Sequence, residues 1–175
     1  MKNTINILLL LLFFTAANAQ TAKLEEGYYR SSNDFKSNNI LPSGDLLSAS
    51  STDLVFKFLY TKVYYNSRNV WGYRNKEGKD YRSIEGKFYE VVLANKICVY
   101  QFVENNETSF RVSYGPGGMP LEMTSDNVLK LLSDNPTIAS QYKSLGGKDR
   151  KEKAIDFIER YNSSTQISAI DSVNK

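Results

Sequence analysis

No histidine occurs anywhere in the 175 residues. Its absence removes the commonest general base, the usual Ser and Cys triads and most zinc sites. There is one cysteine, Cys98, so no disulfide can form within the chain. Cys98 sits in the apolar run Ile97-Cys98-Val99-Tyr100, where it reads as a small buried hydrophobe. Strong charge of either sign is lacking too: 22 basic residues face 19 acidic ones. That balance gives no electrostatic footprint for nucleic acid. Aromatics, by contrast, are plentiful, at 13% of residues with twelve tyrosines. They can build a core without covalent help.

The start of the chain reads as an export signal. Lys2 precedes the unbroken apolar run Ile7–Phe14, and Ala17 and Ala19 form a small-x-small pattern before Gln20. Cleavage is expected between Ala19 and Gln20. The apolar run is shorter than the roughly 20 residues of a permanent span, so no stable membrane span is expected after cleavage. No Cys near that point could carry a lipid. Lys2 is the only charge in residues 1–19. The expected organisation is a signal peptide over 1–19, one α+β domain over 20–162, and a polar tail over 163–175.

Residues 20–50 are polar. Gly27–Arg30 reads as a short extended entry, Ser31 or Ser32 as a cap for a helical turn through Asp34–Lys36, and 38–44 as loop. From about 51 to 115 the pattern is β. Leu54–Tyr65 reads as one long strand. Then come 70–74, a turn at 75–79, 80–84, a turn at 85–87, 88–93, 97–103 and 110–114. Short turns between successive strands favour antiparallel neighbours. A meander of about five or six strands is predicted, as an open sheet or a small barrel. Tyr114–Pro120 is glycine-rich but has no Gly-Lys-Ser/Thr, and reads as a strand-to-helix connection rather than a phosphate cradle. Three helices follow. The first is capped by Thr124 or Ser125. The second is capped by Asn135, with Pro136 at its first position and Gly146-Gly147 at its end. The third spans about 148–161 with Ala154, Phe157, Ile158 and Tyr161 on one stripe. These helices are expected to cover one sheet face.

The order of short motifs carries a resemblance. Gly27-x-Tyr29 with Asp34-Phe35, then Val70-Trp71-Gly72-Tyr73 and Tyr81-Arg82, lead to Asn127–Lys130, Asp134-Asn135-Pro136 and Lys153–Asn162. Together they resemble a group of small exported proteins of unknown function from Bacteroidetes-type bacteria. The resemblance spans most of the chain after the leader. It implies an envelope or secreted location in such a bacterium, and it carries over no activity and no site residue. No C-terminal sorting domain of the kind such bacteria use for surface secretion is recognised, which favours the periplasm.

Among chemical constellations, Asp80, Glu85 and Glu90 are carboxylates clustered around one hairpin, and read as solvated edge charges unless two face each other across a cleft. Asn105–Glu107 and Asp134-Asn135 lack calcium-loop spacing. No metal and no cofactor are expected. The cluster that stands out is Trp71, Tyr73, Arg74, Tyr81 and Arg82. Pairing of 70–74 with 80–84 would bring these together as a face for a sugar, a peptide or an anion. The competing reading makes Trp71 core and lays the arginines over aromatic rings as packing. The expected function is therefore non-catalytic binding of a glycan, peptide or envelope protein. The alternative is a hydrolase of glycans or peptides working through carboxylates or Tyr.

Overall fold

The computed structural model describes residues 25–173 apart from Ser43, with side chains to Thr165. The expected leader and its cleavage point, Ala19 and Gln20, lie outside the described residues. The fold is α+β. A seven-stranded antiparallel sheet contains β1 (Gly27–Tyr29), β5 (Gly72–Arg74), β6 (Asp80–Ile84), β7 (Lys87–Leu93), β8 (Ile97–Glu104), β9 (Glu107–Tyr114) and β10 (Leu121–Glu122), in the order β1-β5-β6-β7-β8-β9-β10. A second antiparallel sheet holds β2 (Asp45–Ala49), β3 (Asp53–Phe58) and β4 (Thr61–Asn66). Of the helices, α1 (Ser32–Lys36) precedes β2, whereas α2 (Ser125–Leu131), α3 (Pro136–Ser144), α4 (Gly147–Glu152) and α5 (Ala154–Val173) close the chain.

The central meander follows the predicted turns. Hairpins at Glu85-Gly86 and Asn105-Asn106 carry positive φ at all four residues, which matches the right-handed twist of the flanking strands. The sheet remains open: β1 and β10 are its edges and no barrel closes. Gly72 is required in the middle strand of a tight triplet, because a Cβ there would strike the Tyr81 carbonyl of the neighbouring strand.

Several local expectations are corrected. The stretch 54–65 is not one strand but the β3–β4 hairpin, turning at Leu59-Tyr60 with Phe58 opposite Thr61. The fold-back reverses which residues share a face: Phe56 pairs with Val63 and Leu54 with Tyr65. Residues 45–49, expected within a polar non-strand segment, form β2. The second helix does not end on a left-handed glycine. Leu145 turns extended, and Gly146, at φ −63, becomes the N-cap of the short α4. Lys153 interrupts what was expected as one helix over 148–161, and α5 then continues past Ser163, the expected start of a polar tail, to Val173.

The capping signals are realised. Ser31 and Asp34 form a capping box on α1, the Thr124 hydroxyl accepts from the Asn127 amide, and the Asn135 side chain accepts from the Ile138 amide. Two cores occupy opposite ends of one face of the large sheet. At the β8–β9 end, Ile97, Val99 and Val112 meet Val128, Leu132, Ile138, Tyr142, Phe157, Ile158 and Tyr161 of the helices. At the β5–β7 end, Tyr73, Phe88 and Val70 meet Leu46, Leu54 and Phe56 of the small sheet. The opposite face buries Ile84, Tyr89, Cys98 and Tyr100. There Arg82 on β6 reaches Ser113 on β9, and Arg111 on β9 reaches Glu85 beside β6. A flat sheet would hold strands three apart at about 14 Å, so the sheet curls over this face.

Candidate functional site

A single row of side chains crosses the large sheet on its helix-bearing face. The register runs Tyr28↔Tyr73, Tyr73↔Tyr81, Tyr81↔Glu90, Glu90↔Gln101 and Gln101↔Phe110. Strand alternation fixes all of these on one side. At one end Tyr28 and Tyr73 lie under the small sheet, and at the other Phe110 lies against the helical core. Between them Tyr81, Glu90 and Gln101 stay partly exposed. They floor an open cleft of ≈ 400 Å³, walled by Ser50 and Ser51 on one side and by Phe102 to Glu104 on the other.

The aromatic part of the cleft is rigid. The rings of Tyr73 and Tyr81 stack at 4.6 Å with an 8° interplanar angle, and Phe88 meets Tyr73 edge-on at 5.0 Å. Burial first, then the neighbouring Glu90 charge, raises the Tyr81 phenol above its usual range, so Tyr81 is a neutral hydrogen-bonding group at any physiological pH. Both carboxylates that touch the cleft are paired with lysines: Glu90 on its floor accepts from Lys79 at 2.9 Å, and Glu104 at its rim, turned by strand alternation toward the opposite face, accepts from Lys87 at 2.8 Å.

The five residues singled out from the sequence separate onto two faces. Tyr73 and Tyr81 belong to the cleft. Trp71, Arg74 and Arg82 belong to the curled face behind it. Arg74 forms a two-point ion pair with Asp80, at 2.8 and 2.9 Å, and the same carboxylate accepts from the Tyr29 hydroxyl at 2.7 Å. Arg82 is 7% exposed. Its guanidinium lies 5.4 Å from the Trp71 ring and 5.0 Å from the Tyr100 ring. It donates to the Tyr100 hydroxyl at 2.7 Å, to Ser113 Oγ at 3.3 Å and to the Gly118 carbonyl at 2.9 Å. These ring faces and oxygens take the place of a carboxylate partner. Trp71 stacks on Phe35 of α1 at 4.7 Å and meets Tyr29 edge-on at 6.1 Å. The 115–118 turn closes over this cluster.

The three carboxylates clustered in sequence also diverge. Asp80 is on the curled face with Arg74, Glu85 sits in a turn beside Arg111, and Glu90 faces the cleft. Among the described residues no group of three His, Cys, Asp or Glu could hold a metal. Cys98 is buried, its thiol 3.3 Å from the Asn95 carbonyl, and burial pushes its pKa up. Sequence reasoning did not single out Ser50, Ser51, Phe88, Gln101 or Phe102. They come from three separate segments, and only the tertiary fold unites them. No helix of the described residues is long and apolar enough to cross a membrane. Comparison with protein-family models, curated proteins and solved structures gives no match.

Proposed function

We propose that this chain is a non-catalytic binding protein of the bacterial envelope or exterior, and that the Tyr81 cleft takes a short glycan. The observation that carries this reading is the partly exposed stretch of one cross-strand row, Tyr81-Glu90-Gln101, left open between two well-packed cores. Tyr81, backed by Tyr73, offers a flat apolar surface for the less polar face of a sugar ring. Glu90, Gln101, Ser50 and Ser51 supply acceptors and donors for sugar hydroxyls around it. The cleft is shallow, and its carboxylates are half-exposed and held by lysines. Glycoside hydrolysis wants one carboxylic acid kept protonated by burial and a second facing it, so the setting of Glu90 and Glu104 favours binding over hydrolysis.

Calorimetric titration of cell-wall and dietary oligosaccharides into the protein tests this. Binding by the wild type and a loss of about tenfold or more in Tyr81→Ala, with the melting temperature changed by only a few degrees, is the expected outcome. Equal affinity in the variant, or release of reducing ends from the oligosaccharide, would overturn it.

A further inference from the structure

The small sheet carries its two most exposed large apolar side chains, Leu59 and Tyr60, side by side at one tip. In the β3–β4 hairpin Phe58 is 53%, Leu59 72% and Tyr60 102% exposed. Phe58 pairs with Thr61, so Leu59 and Tyr60 form a two-residue loop. Such loops favour Gly, Asn or Asp wherever φ is positive; other hairpins of this chain place Gly86, Asn105 and Asn106 there, with Glu85 as a polar exception whose carboxylate bonds Arg111. Here Leu59 stands at φ 55. A bulky residue in left-handed backbone weakens the turn. Among the described residues no core contact offsets that cost, because Leu59 and Tyr60 are exposed. A side chain that strains its own turn and packs on none of the described residues calls for a partner.

The charge pattern around the tip says which kind. Lys57 and Lys62 face each other across the hairpin directly behind Phe58 and Thr61. No acidic residue lies between Phe56 and Tyr65; the acid nearest in register is Asp45, opposite Lys57 on β2. Two apolar side chains, then an amphipathic tyrosine, then a cationic shoulder follow the layering of a bilayer surface: acyl boundary, interface, anionic phosphates. A stable protein interface needs about 800 Å² from each partner, far more than a two-residue loop presents. A bilayer accepts a few inserted side chains.

We propose that the β3–β4 hairpin docks the chain peripherally on an anionic membrane, with Phe58, Leu59 and Tyr60 inserted and Lys57 and Lys62 against lipid phosphates. This contact is on the small sheet, away from the Tyr81 cleft, and neither reading depends on the other.

A local reporter is required, because the apolar run Ile7–Phe14 can by itself bring the full chain to lipid. Tyr60→Trp supplies one, with the Trp71 signal subtracted using the wild-type chain. Mixed with vesicles of phosphatidylcholine and phosphatidylglycerol, the Trp emission moves to the blue. With phosphatidylcholine alone it moves far less, and salt diminishes the difference. Adding Leu59→Gly weakens vesicle affinity about tenfold or more, the change expected when one large side chain is denied burial. The same change raises the urea midpoint, since glycine tolerates φ 55. Opposite signs in affinity and stability are what a purely structural role for Leu59 could not produce. The pair Lys57→Gln and Lys62→Gln abolishes the preference for anionic vesicles. Three results would overturn the proposal: vesicles that pellet the chain while the Trp emission stays that of water, a Leu59→Gly chain that binds as tightly as its parent, or a blue shift that arises from self-association without lipid.

Discussion

Trp71→Ala separates packing from ligand contact more sharply than any other single change. Trp71 is the chain's only tryptophan, and its ring is sandwiched between Phe35 at 4.7 Å and the Arg82 guanidinium at 5.4 Å, with Tyr29 at its edge. Burial of roughly 150 Å² of ring at about 25 cal/mol per Å² is worth about 4 kcal/mol. Loss of the ring contacts adds about 1 kcal/mol, and partial collapse of the site gives some back, so the expected cost is about 3–5 kcal/mol. For a domain of this length that lowers the melting temperature by about 10 °C or more. Trp71→Phe keeps the stack. Because the indole N–H has no acceptor among the described residues, the Phe variant should lose less than about 1.5 kcal/mol. Circular dichroism melts of the three proteins read this directly, since Trp fluorescence is lost in both variants. Glycan affinity at the cleft should be unchanged in Trp71→Phe. A Trp71→Ala protein that melts within about 2 °C of wild type yet loses its ligand would refute the packing argument.

Arg82→Lys tests the same cluster from its other side. One guanidinium bonds Tyr100, Ser113 and Gly118 at once, whereas a buried ammonium lacks the planar fork. The expected cost is about 2–4 kcal/mol in a urea titration, and an unchanged midpoint would contradict it. Asp134 joins α2 and α3 to the sheet by accepting from Lys96 at 2.7 Å and from Tyr161 at 2.6 and 2.8 Å. Burial alone would raise its pKa, but the Lys96 and Tyr161 donors together hold the carboxyl below its usual value. A carboxyl depressed in the folded state adds stability above its unfolded pKa and loses it as pH falls through the folded one. Asp134→Asn should therefore cost about 1 kcal/mol at neutral pH, a figure discounted because the pair is half-exposed. It should also flatten the acid limb of the stability profile below about pH 4; an unchanged acid limb would show that the carboxylate is not coupled to folding.

What the sequence made legible was local. Ser31 with Asp34, Asn135 with Pro136, and the Gly and Asn turns announce helix starts and hairpins through side-chain chemistry that acts within four residues. The missed elements lack such markers. Leu59-Tyr60 contains no turn residue, so two strands read as one. Asp45-Leu46-Leu47-Ser48-Ala49 has no β-branched residue, so β2 passed as part of a polar stretch. Gly146 resembles a helix C-terminus by type but caps the next helix, because Leu145 could turn extended ahead of it. The candidate site failed differently. Five residues adjacent across one hairpin looked like one face, yet Gly72, Arg74 and Arg82 alternate against Tyr73 and Tyr81, and Trp71 turns out of the strand toward Arg82. The cleft itself depends on what leaves Tyr81, Glu90 and Gln101 partly exposed, which is a property of how the small sheet and the helices divide one face.

A crystal of the protein soaked with glycan fragments shows whether that division makes a binding site. The expected result is sugar density lying over Tyr81 with hydroxyls bonded to Glu90 and Gln101, and Trp71 untouched behind the sheet. Sugar bound against Trp71 and Arg82 with the Tyr81 cleft empty would contradict it.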